Sequence, residues 1–394
     1  MKWGVLFLSL TVFWVSKVTA DPLPPPFEEK CVRGLYPPSN SKTVPTYKVD
    51  LDLPPQERWK EVTKNRGPQI AGLLKKFKQF LLNFGNKTEF IIHLVDSDLG
   101  WLVNTLPAPY ADEIRGISKQ TGVPLGEIFL YNIFYEVFTV CTSIVAEDPK
   151  GNLFHARNLD FGLFMGWNNV NHTWEITSAL RPMIVNLNFV KGGKVIYKAV
   201  NFAGYVGLLT AMKPGVFTMT MDERFNANGG YIGILKWIIG DRSAKWMGFL
   251  TREVLETAQS YTEAKDRLAN TPMLAPAYFI LGGNKSAEAC VITRARDKAV
   301  DVWDIKNTPD KWFILETNYD HWLKPLFLDD RRTPANKCMR KLTQQNVNFA
   351  GIYDVLSSKP VLNKLTTYTA LMEVRTGKLE TYLQDCNDES CFPW

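Results

Sequence analysis

The sequence predicts an α+β layered fold, and three observations carry the prediction. Residues 56–140 place apolar side chains at three- and four-residue spacing, the period of helices with one buried face. From Cys141 to about residue 222 the pattern is strand-like and punctuated by turns. Beyond that, helical and strand blocks come in separate runs, which argues for long antiparallel sheets with segregated helices. The 394 residues can bury the core of one large domain or two modest ones.

The first twenty residues read as a secretory signal. Lys2 gives the positive start, Gly4 to Val15 is an apolar stretch of twelve, and Val18-Thr19-Ala20 offers a small-residue cleavage site. Twelve residues are too few to span a bilayer, and Lys17 closes the stretch. Even Tyr231 to Leu250, the most apolar later segment, is cut by Lys236, Asp241, Arg242 and Lys245. The mature chain is therefore expected to be soluble and lumenal or secreted. Acceptor sequons at Asn86, Asn171 and Asn284 agree with that compartment.

Residues 21–55 are proline-rich and read as irregular, anchored by Pro22 to Pro26 and Pro54-Pro55. Leu73, Leu74, Phe77, Phe80, Leu81 and Phe84 mark one helix. Ile128, Phe129, Ile133, Phe134 and Val137 mark another, entered after Pro124 and ending near Cys141. Turns at Pro149-Lys150-Gly151-Asn152, Lys191-Gly192-Gly193-Lys194 and Lys213-Pro214-Gly215 separate the strands that follow. Met183, Val185, Leu187 and Phe189 alternate with Asn186 and Asn188 along one of them. A helical block is expected from about 231 to 270, then strands near 277–283, 289–294, 300–305 and 312–317. A helix near 334–343 and strands near 366–383 finish the chain. There is no internal repeat and no low-complexity segment.

The formal charge of +6 falls to +4 without residues 1–20, which carry Lys2 and Lys17 and no acid. That mild basicity lacks the lysine and arginine blocks of a nucleic-acid binder. At acidic pH it rises, which favours contact with anionic membrane surfaces. Twelve tryptophans and 23 phenylalanines are more apolar surface than a core alone requires. Six cysteines in an oxidising compartment point to disulfides, with fifteen full pairings open. Cys386 with Cys391 and Cys31 with Cys338 are the pairs inferred by elimination. Cys290 reads as a buried thiol on a strand, and Cys141 is left over.

Cys141 ends a hydrophobic run, and the turn after it leads into Phe154-His155-Ala156-Arg157-Asn158-Leu159-Asp160-Phe161. With Lys150-Gly151 at the centre of a hairpin, antiparallel pairing sets residue 160 opposite 141. Asp160 is then expected beside Cys141, with Arg157 within reach and on the other face of a regular strand. Three readings follow. Cys141 is a buried thiol beside a structural Arg–Asp pair, a Cys–His nucleophile of the papain type, or a latent N-terminus. The four histidines, His93, His155, His172 and His321, show no metal-ligand spacing, and the papain-type signature is missing. A chain cut before Cys141 needs no histidine. Its α-amine, with an ordinary pKa of about 7.7–8.0, is a far better base than a carboxylate.

Phe138-Thr139-Val140-Cys141-Thr142-Ser143-Ile144-Val145-Ala146-Glu147-Asp148 followed by Arg157-Asn158-Leu159-Asp160-Phe161-Gly162 closely resembles the acid ceramidase family of N-terminal-nucleophile amidases. The likeness extends through Asn201 to Gly207, Asp222-Glu223-Arg224, Thr317-Asn318-Tyr319-Asp320 and Asp329 to Pro334. N-acylethanolamine acid amidases share most of these motifs. The aromatic segment Gly162 to Trp167 and the Cys386…Cys391 tail look more like ceramidase.

The resemblance implies an αββα sandwich over residues 141–394 and a mainly helical α subunit over residues 21–140, joined by Cys31–Cys338. It implies self-cleavage between Val140 and Cys141, and Cys141 as nucleophile and, through its amine, base. Arg157 and Asp160 orient amine and thiol, Asn318 donates to the oxyanion, and Glu223 and Arg331 complete the network. The implied activity is lysosomal hydrolysis of ceramide to sphingosine and fatty acid, without metal or organic cofactor. A saposin-type lipid-presenting partner is implied as well. Because ceramide is membrane-bound, an apolar rim of Phe161, Phe164, Met165 and Trp167 is expected. An N-acylethanolamine amidase and a non-enzymatic lipid carrier are the rival functions.

Overall fold

The computed structural model describes residues 30–39, 43–82, 99–134, 139–162, 165–224, 230–386 and 391. The signal segment 1–20, the sequon at Asn86 and the rim candidate Phe164 lie outside these residues.

The N-terminal part supplies β1 (Thr46–Asp50), α1 (Lys60–Leu82), α2 (Tyr110–Thr121) and α3 (Leu125–Phe134). A hairpin follows, β2 (Thr139–Glu147) and β3 (Leu153–Phe161), then a short α4 (Glu175–Leu180). Next come β4 (Ile184–Lys191), β5 (Lys194–Phe202), β6 (Thr210–Lys213) and β7 (Phe217–Glu223). Three helices, α5 (Gly230–Ile238), α6 (Met247–Thr257) and α7 (Tyr261–Asn270), precede β8 (Ala277–Gly283), β9 (Ala289–Arg294), β10 (Ala299–Asp304) and β11 (Phe313–Glu316). The chain closes with α8 (Arg332–Leu342), α9 (Phe349–Ser357), β12 (Thr366–Glu373) and β13 (Lys378–Leu383).

Two sheets stack. One has eight strands in the order β1-β4-β5-β6-β7-β8-β9-β10, the other five in the order β11-β2-β3-β12-β13. Strand parity explains the layering, because side chains alternate between faces. Ile144, Ala146 and Ala156 face α8 and α9, where Ala335, Met339, Ile352 and Leu356 bury them. Cys141, Val145 and Leu159 face the other sheet. The helices α6 and α7 cover the outside of the eight-stranded sheet. An αββα sandwich results.

Both disulfides inferred from the sequence are formed, Cys31–Cys338 and Cys386–Cys391, and Cys290 is a buried free thiol on β9. The differences from the sequence reading are local. The proline-rich stretch contains β1, which pairs in parallel with β4 through Tyr47↔Leu187 and Val49↔Phe189. Its side chains are few, so five residues left little periodicity to read. The helices α4 and α9 were not anticipated; α9 is nearly buried all round, which erases the one-sided pattern. The change to strand occurs before Cys141, since Thr139 and Val140 already belong to β2.

Residues on both sides of Cys141 build one core. Val49, Trp59, Ile70 and Ile114 pack in the same cluster as Phe189, Tyr197 and Leu255. Burying each such side chain contributes about 1.5–3 kcal/mol. Glu113 of α2, fully buried, accepts from Trp59 Nε1 at 2.7 Å, Arg58 Nη1 at 3.0 Å and Arg252 Nη2 of α6 at 2.7 Å. A buried carboxylate is tolerated only with such partners.

Candidate functional site

The register of the hairpin decides the geometry around Cys141. Leu159, not Asp160, lies opposite Cys141, and Asp160 lies opposite Val140. The expected pairing is thus off by one residue, and one residue exchanges the faces of the strand. Arg157, two residues from Leu159, comes onto the face of Cys141, between the sheets. Asp160 turns its carboxylate to the opposite face. The expected pairing of residue 160 with Cys141 is therefore corrected, while both Arg157 and Asp160 do lie close to the residue.

Three atoms of Cys141 are held by three different parts of the chain. The sulfur accepts a close contact from Arg157 Nη2 and lies against the Asp160 backbone N–H. The amide nitrogen donates to Asn318 Oδ1 at 2.8 Å. The carbonyl oxygen accepts from Arg331 Nη1. The residue is fully buried. That burial pushes the thiol well above its usual range, and Arg157 offsets part of the rise.

Arg157 is fixed by the eight-stranded sheet. Its Nη1 donates to Leu209 O at 2.8 Å, Thr210 Oγ1 at 3.1 Å and Met221 O at 3.2 Å. Its Nη2 reaches Asp222 Oδ1 at 3.1 Å, and both residues are completely buried. Asp222 is a site residue the sequence reading passed over. It adjoins Glu223 in the family motif, and strand parity along β7 was the available signal. Glu223 itself enters through its backbone: its carbonyl accepts from Asn318 Nδ2 at 2.8 Å.

Asn318 and Arg331 lie at the two ends of the connection from β11 to α8. Arg331 Nη2 donates to Asn318 Oδ1 at 2.9 Å. Because Arg331 and the Cys141 N–H are donors only, the acceptor end of Asn318 must face them. Its donor end is committed to Glu223. In the uncut chain Asn318 thus accepts at Oδ1 and donates one Nδ2 hydrogen to Glu223 O. Arg331 is itself positioned by Asp329 at 2.9 Å and Asp160 Oδ2 at 3.6 Å. Asp160 Oδ2 also accepts from Asn363 Nδ2 at 3.0 Å. Burial raises the Asp160 carboxyl above its ordinary value, and Arg331 opposes the rise.

His93 lies outside the described residues, and His155 and His321 serve elsewhere. Both ring nitrogens of His155 meet hydroxyls, Thr218 at 2.9 Å and Thr220 at 3.0 Å, and burial pushes it down to about 3. His321 stacks on Trp303 at 4.2 Å and meets Asp301 at 3.1 Å. Neither takes the place a papain-type base requires.

The apolar rim is placed differently from expectation. Phe161 and Met165 are buried core residues at 1% and 5% exposure, so they present no surface to a membrane. Trp167 is half-buried against Trp174 at 5.1 Å, with Lys364 Nζ 5.3 Å from its ring. Exposed apolar side chains occur instead at Leu235, Ile238 and Ile239, and at Trp322, Leu323, Leu326 and Phe327 between Asn318 and Arg331. Of the sequons, Asn171 and Asn284 are both exposed, outside the sheets.

Residues 141–389 match the family model of linear amide C–N hydrolases of the choloylglycine hydrolase family, a match that begins at Cys141. Residues 42–106 match the model described as the beta subunit of N-acylethanolamine-hydrolyzing acid amidase. Acid ceramidase from Homo sapiens is 51% identical over 373 residues, covering 94% of each chain. That from Bos taurus is 50% identical over 397 residues, covering all of both chains. Among solved structures, the Caenorhabditis elegans ortholog of N-acylethanolamine-hydrolyzing acid amidase is 30% identical with a TM-score of 0.53. It covers 62% of this chain and 100% of its own. Its site motifs, its sandwich and half-identity along nearly the whole length converge: the chain belongs to the acid ceramidase family and is an amide-bond hydrolase.

Proposed function

We propose that the chain is the precursor of a ceramide-hydrolysing amidase that cuts itself between Val140 and Cys141. The observation that carries this reading is the separate hold on the sulfur, nitrogen and carbonyl oxygen of Cys141 by Arg157, Asn318 and Arg331. In self-cleavage the Cys141 sulfur bonds to the Val140 carbonyl carbon as the C–N bond breaks. The thiol proton passes to the departing nitrogen, which becomes the α-amine. Water then adds its hydroxyl to the acyl carbon and returns a proton to sulfur.

The same steps serve turnover. The amine takes the thiol proton as sulfur attacks the amide of N-acylsphingosine, and passes it to the leaving sphingosine nitrogen. Water hydrolyses the fatty-acyl thioester. Asn318 Oδ1 keeps one amine N–H, so the nitrogen lone pair stays free for the thiol proton. Arg157 and the Asp160 N–H favour developing negative charge on sulfur, and Asn318 Nδ2 serves the oxyanion once its bond to Glu223 gives way. Asp160 and Asp329 position Arg331.

Cutting yields residues 21–140 and 141–394, held by Cys31–Cys338 and by the shared core. The signal segment supports entry into the secretory pathway, and the family resemblance implies residence in the lysosome. The exposed side chains of Trp322, Leu323, Leu326 and Phe327, in the connection between two site residues, and those of α5, beside Lys236, offer contact with an anionic lipid surface, with or without a saposin-type activator. The similarity to the nematode amidase supports N-acylethanolamines as the second reading of the substrate.

N-terminal sequencing after incubation at acidic pH tests the mechanism. The expected result is a chain starting at Cys141 in wild type and a single uncut chain of residues 21–394 in Cys141→Ala. Wild-type protein that stays uncut yet active sinks the reading. Parallel hydrolysis of long-chain ceramide and N-palmitoylethanolamine decides between the substrates.

A further inference from the structure

Arg157 Nη2 has two claimants, the Cys141 sulfur and Asp222 Oδ1. Asp222 Oδ1 also accepts from Ser143 Oγ at 3.2 Å, whereas Asp222 Oδ2 is buried and has no hydrogen-bond partner among the described residues. A carboxylate with one oxygen unpartnered in a dry interior is an unfavourable arrangement. A carboxylic acid there is much less so. We propose that Asp222 is a positioning residue that works as an acid switch: its carboxylate opposes negative charge on Cys141 by occupying the same guanidinium nitrogen, and its protonation leaves Arg157 to the sulfur. The inference rests on Cys141 being the nucleophile.

The surroundings set the sign. Arg157 and Asp160 come from β3, Cys141 and Ser143 from β2, Glu316 from β11, Tyr368 from β12, and Arg331 from the start of α8. Tyr278, opposite Asp222 on β8, donates to Asp320, which also holds Arg224. Two guanidinium groups therefore face two aspartates, so each charge in the buried set matters. Burial pushes Asp222 up to about 6, against the pull of Arg157 and the Ser143 hydroxyl. Below that pH the centre gains one positive charge without moving an atom. The transition states of self-cleavage and acylation both carry developing negative charge, so both are favoured. The only exchange is one proton from solvent to a carboxylate oxygen.

The test is the pH dependence of self-cleavage in the full chain, followed by gel and N-terminal sequencing. Wild type is expected to cut about tenfold faster per pH unit as pH falls through about 6, then to level off. Asp222→Asn keeps an acceptor for Arg157 but cannot titrate. Its rate is expected to vary less than about threefold from pH 7.5 to pH 5. Ser143→Ala removes a hydrogen bond to the carboxylate and is expected to move the wild-type curve to higher pH. A folded Asp222→Asn that retraces the wild-type curve overturns the proposal. If that variant does not fold, an unmoved curve in Ser143→Ala overturns it. Wild type that never yields a chain starting at Cys141 instead removes the nucleophile reading beneath it.

Discussion

Cys141 has two sides, and they are built on different plans. The sulfur lies between the two sheets, where Arg157 and Asp222 form an ion pair with no exposure at all. The nitrogen and carbonyl oxygen are gripped by Asn318 and Arg331, which come from a connection carrying exposed Trp322 and Phe327. The sulfur side is thus rigid and dry, and the peptide side is anchored to a segment that also reaches the surface. Chemistry needs both. The buried ion pair tunes proton affinity, while the clamp on nitrogen and oxygen sets geometry.

The largest effect is expected on the dry side. Above about pH 6, Arg157→Met leaves Asp222 as an uncompensated buried charge, which costs about 3–5 kcal/mol. Self-cleavage is expected to fall by more than about 100-fold, because no guanidinium then contacts the sulfur. Adding Asp222→Leu separates the two effects. The double variant is expected to recover most of the denaturant midpoint and none of the cleavage. Recovery of cleavage would show that Arg157 acts on the fold rather than on the thiol.

Arg331→Lys probes the other side. A lysine keeps the charge but loses the fork that spans Cys141 O and Asn318 Oδ1. Cleavage is expected to slow by about 10–100-fold with little change in the denaturant midpoint, since the lysine keeps a charge beside Asp160 and Asp329 while losing the fork. A midpoint drop as large as that of Arg157→Met would erase the contrast between the sides.

The two sides were also unequally legible. A hairpin through Lys150-Gly151 was enough to bring Arg157 and Asp160 near Cys141, because register follows from local turn chemistry. The one-residue error in that register came from the turn itself, where Asp148 accepts from Asn152 N and closes the loop off-centre. Asn318 and Arg331 lie 177 and 190 residues from Cys141. No local periodicity links such positions, so only the family resemblance named them. Asp222 lay in a quoted motif; strand parity separates it from Glu223, and the stacking of β7 on β2 shows that it is Asp222 that turns its side chain to Arg157 and Ser143. The layered fold was legible because helical and strand-like blocks come in separate runs along the chain. Strand β1 was not, since a parallel edge strand in a proline-rich stretch shows neither length nor a strong pattern.

Glu316 sharpens the comparison with the smallest expected change. It ends β11 opposite Ser143, fully buried, with Oε1 accepting from Thr317 N at 2.9 Å and Oε2 unpartnered among the described residues. Burial pushes its carboxyl up to about 8, against the Thr317 hydrogen bond and Arg332. The folded chain therefore holds a proton that the unfolded chain releases above its ordinary value of 4.5. For an acid raised in this way, the cost to stability is absent below about 4.5, grows with pH, and levels off above about 8. Glu316→Gln removes that cost. Measured by urea unfolding on an uncut Cys141→Ala background, it is expected to stabilise by about 2 kcal/mol near pH 7.5 and by nothing near pH 4.5. Because both side chains are neutral at the pH of cleavage, Glu316→Gln in the Cys141 chain is expected to cut at a rate within about threefold of wild type. Equal stabilisation at both pH values would mean that Glu316 is ionised in the fold, and its charge would then have to be added to the set facing Arg157.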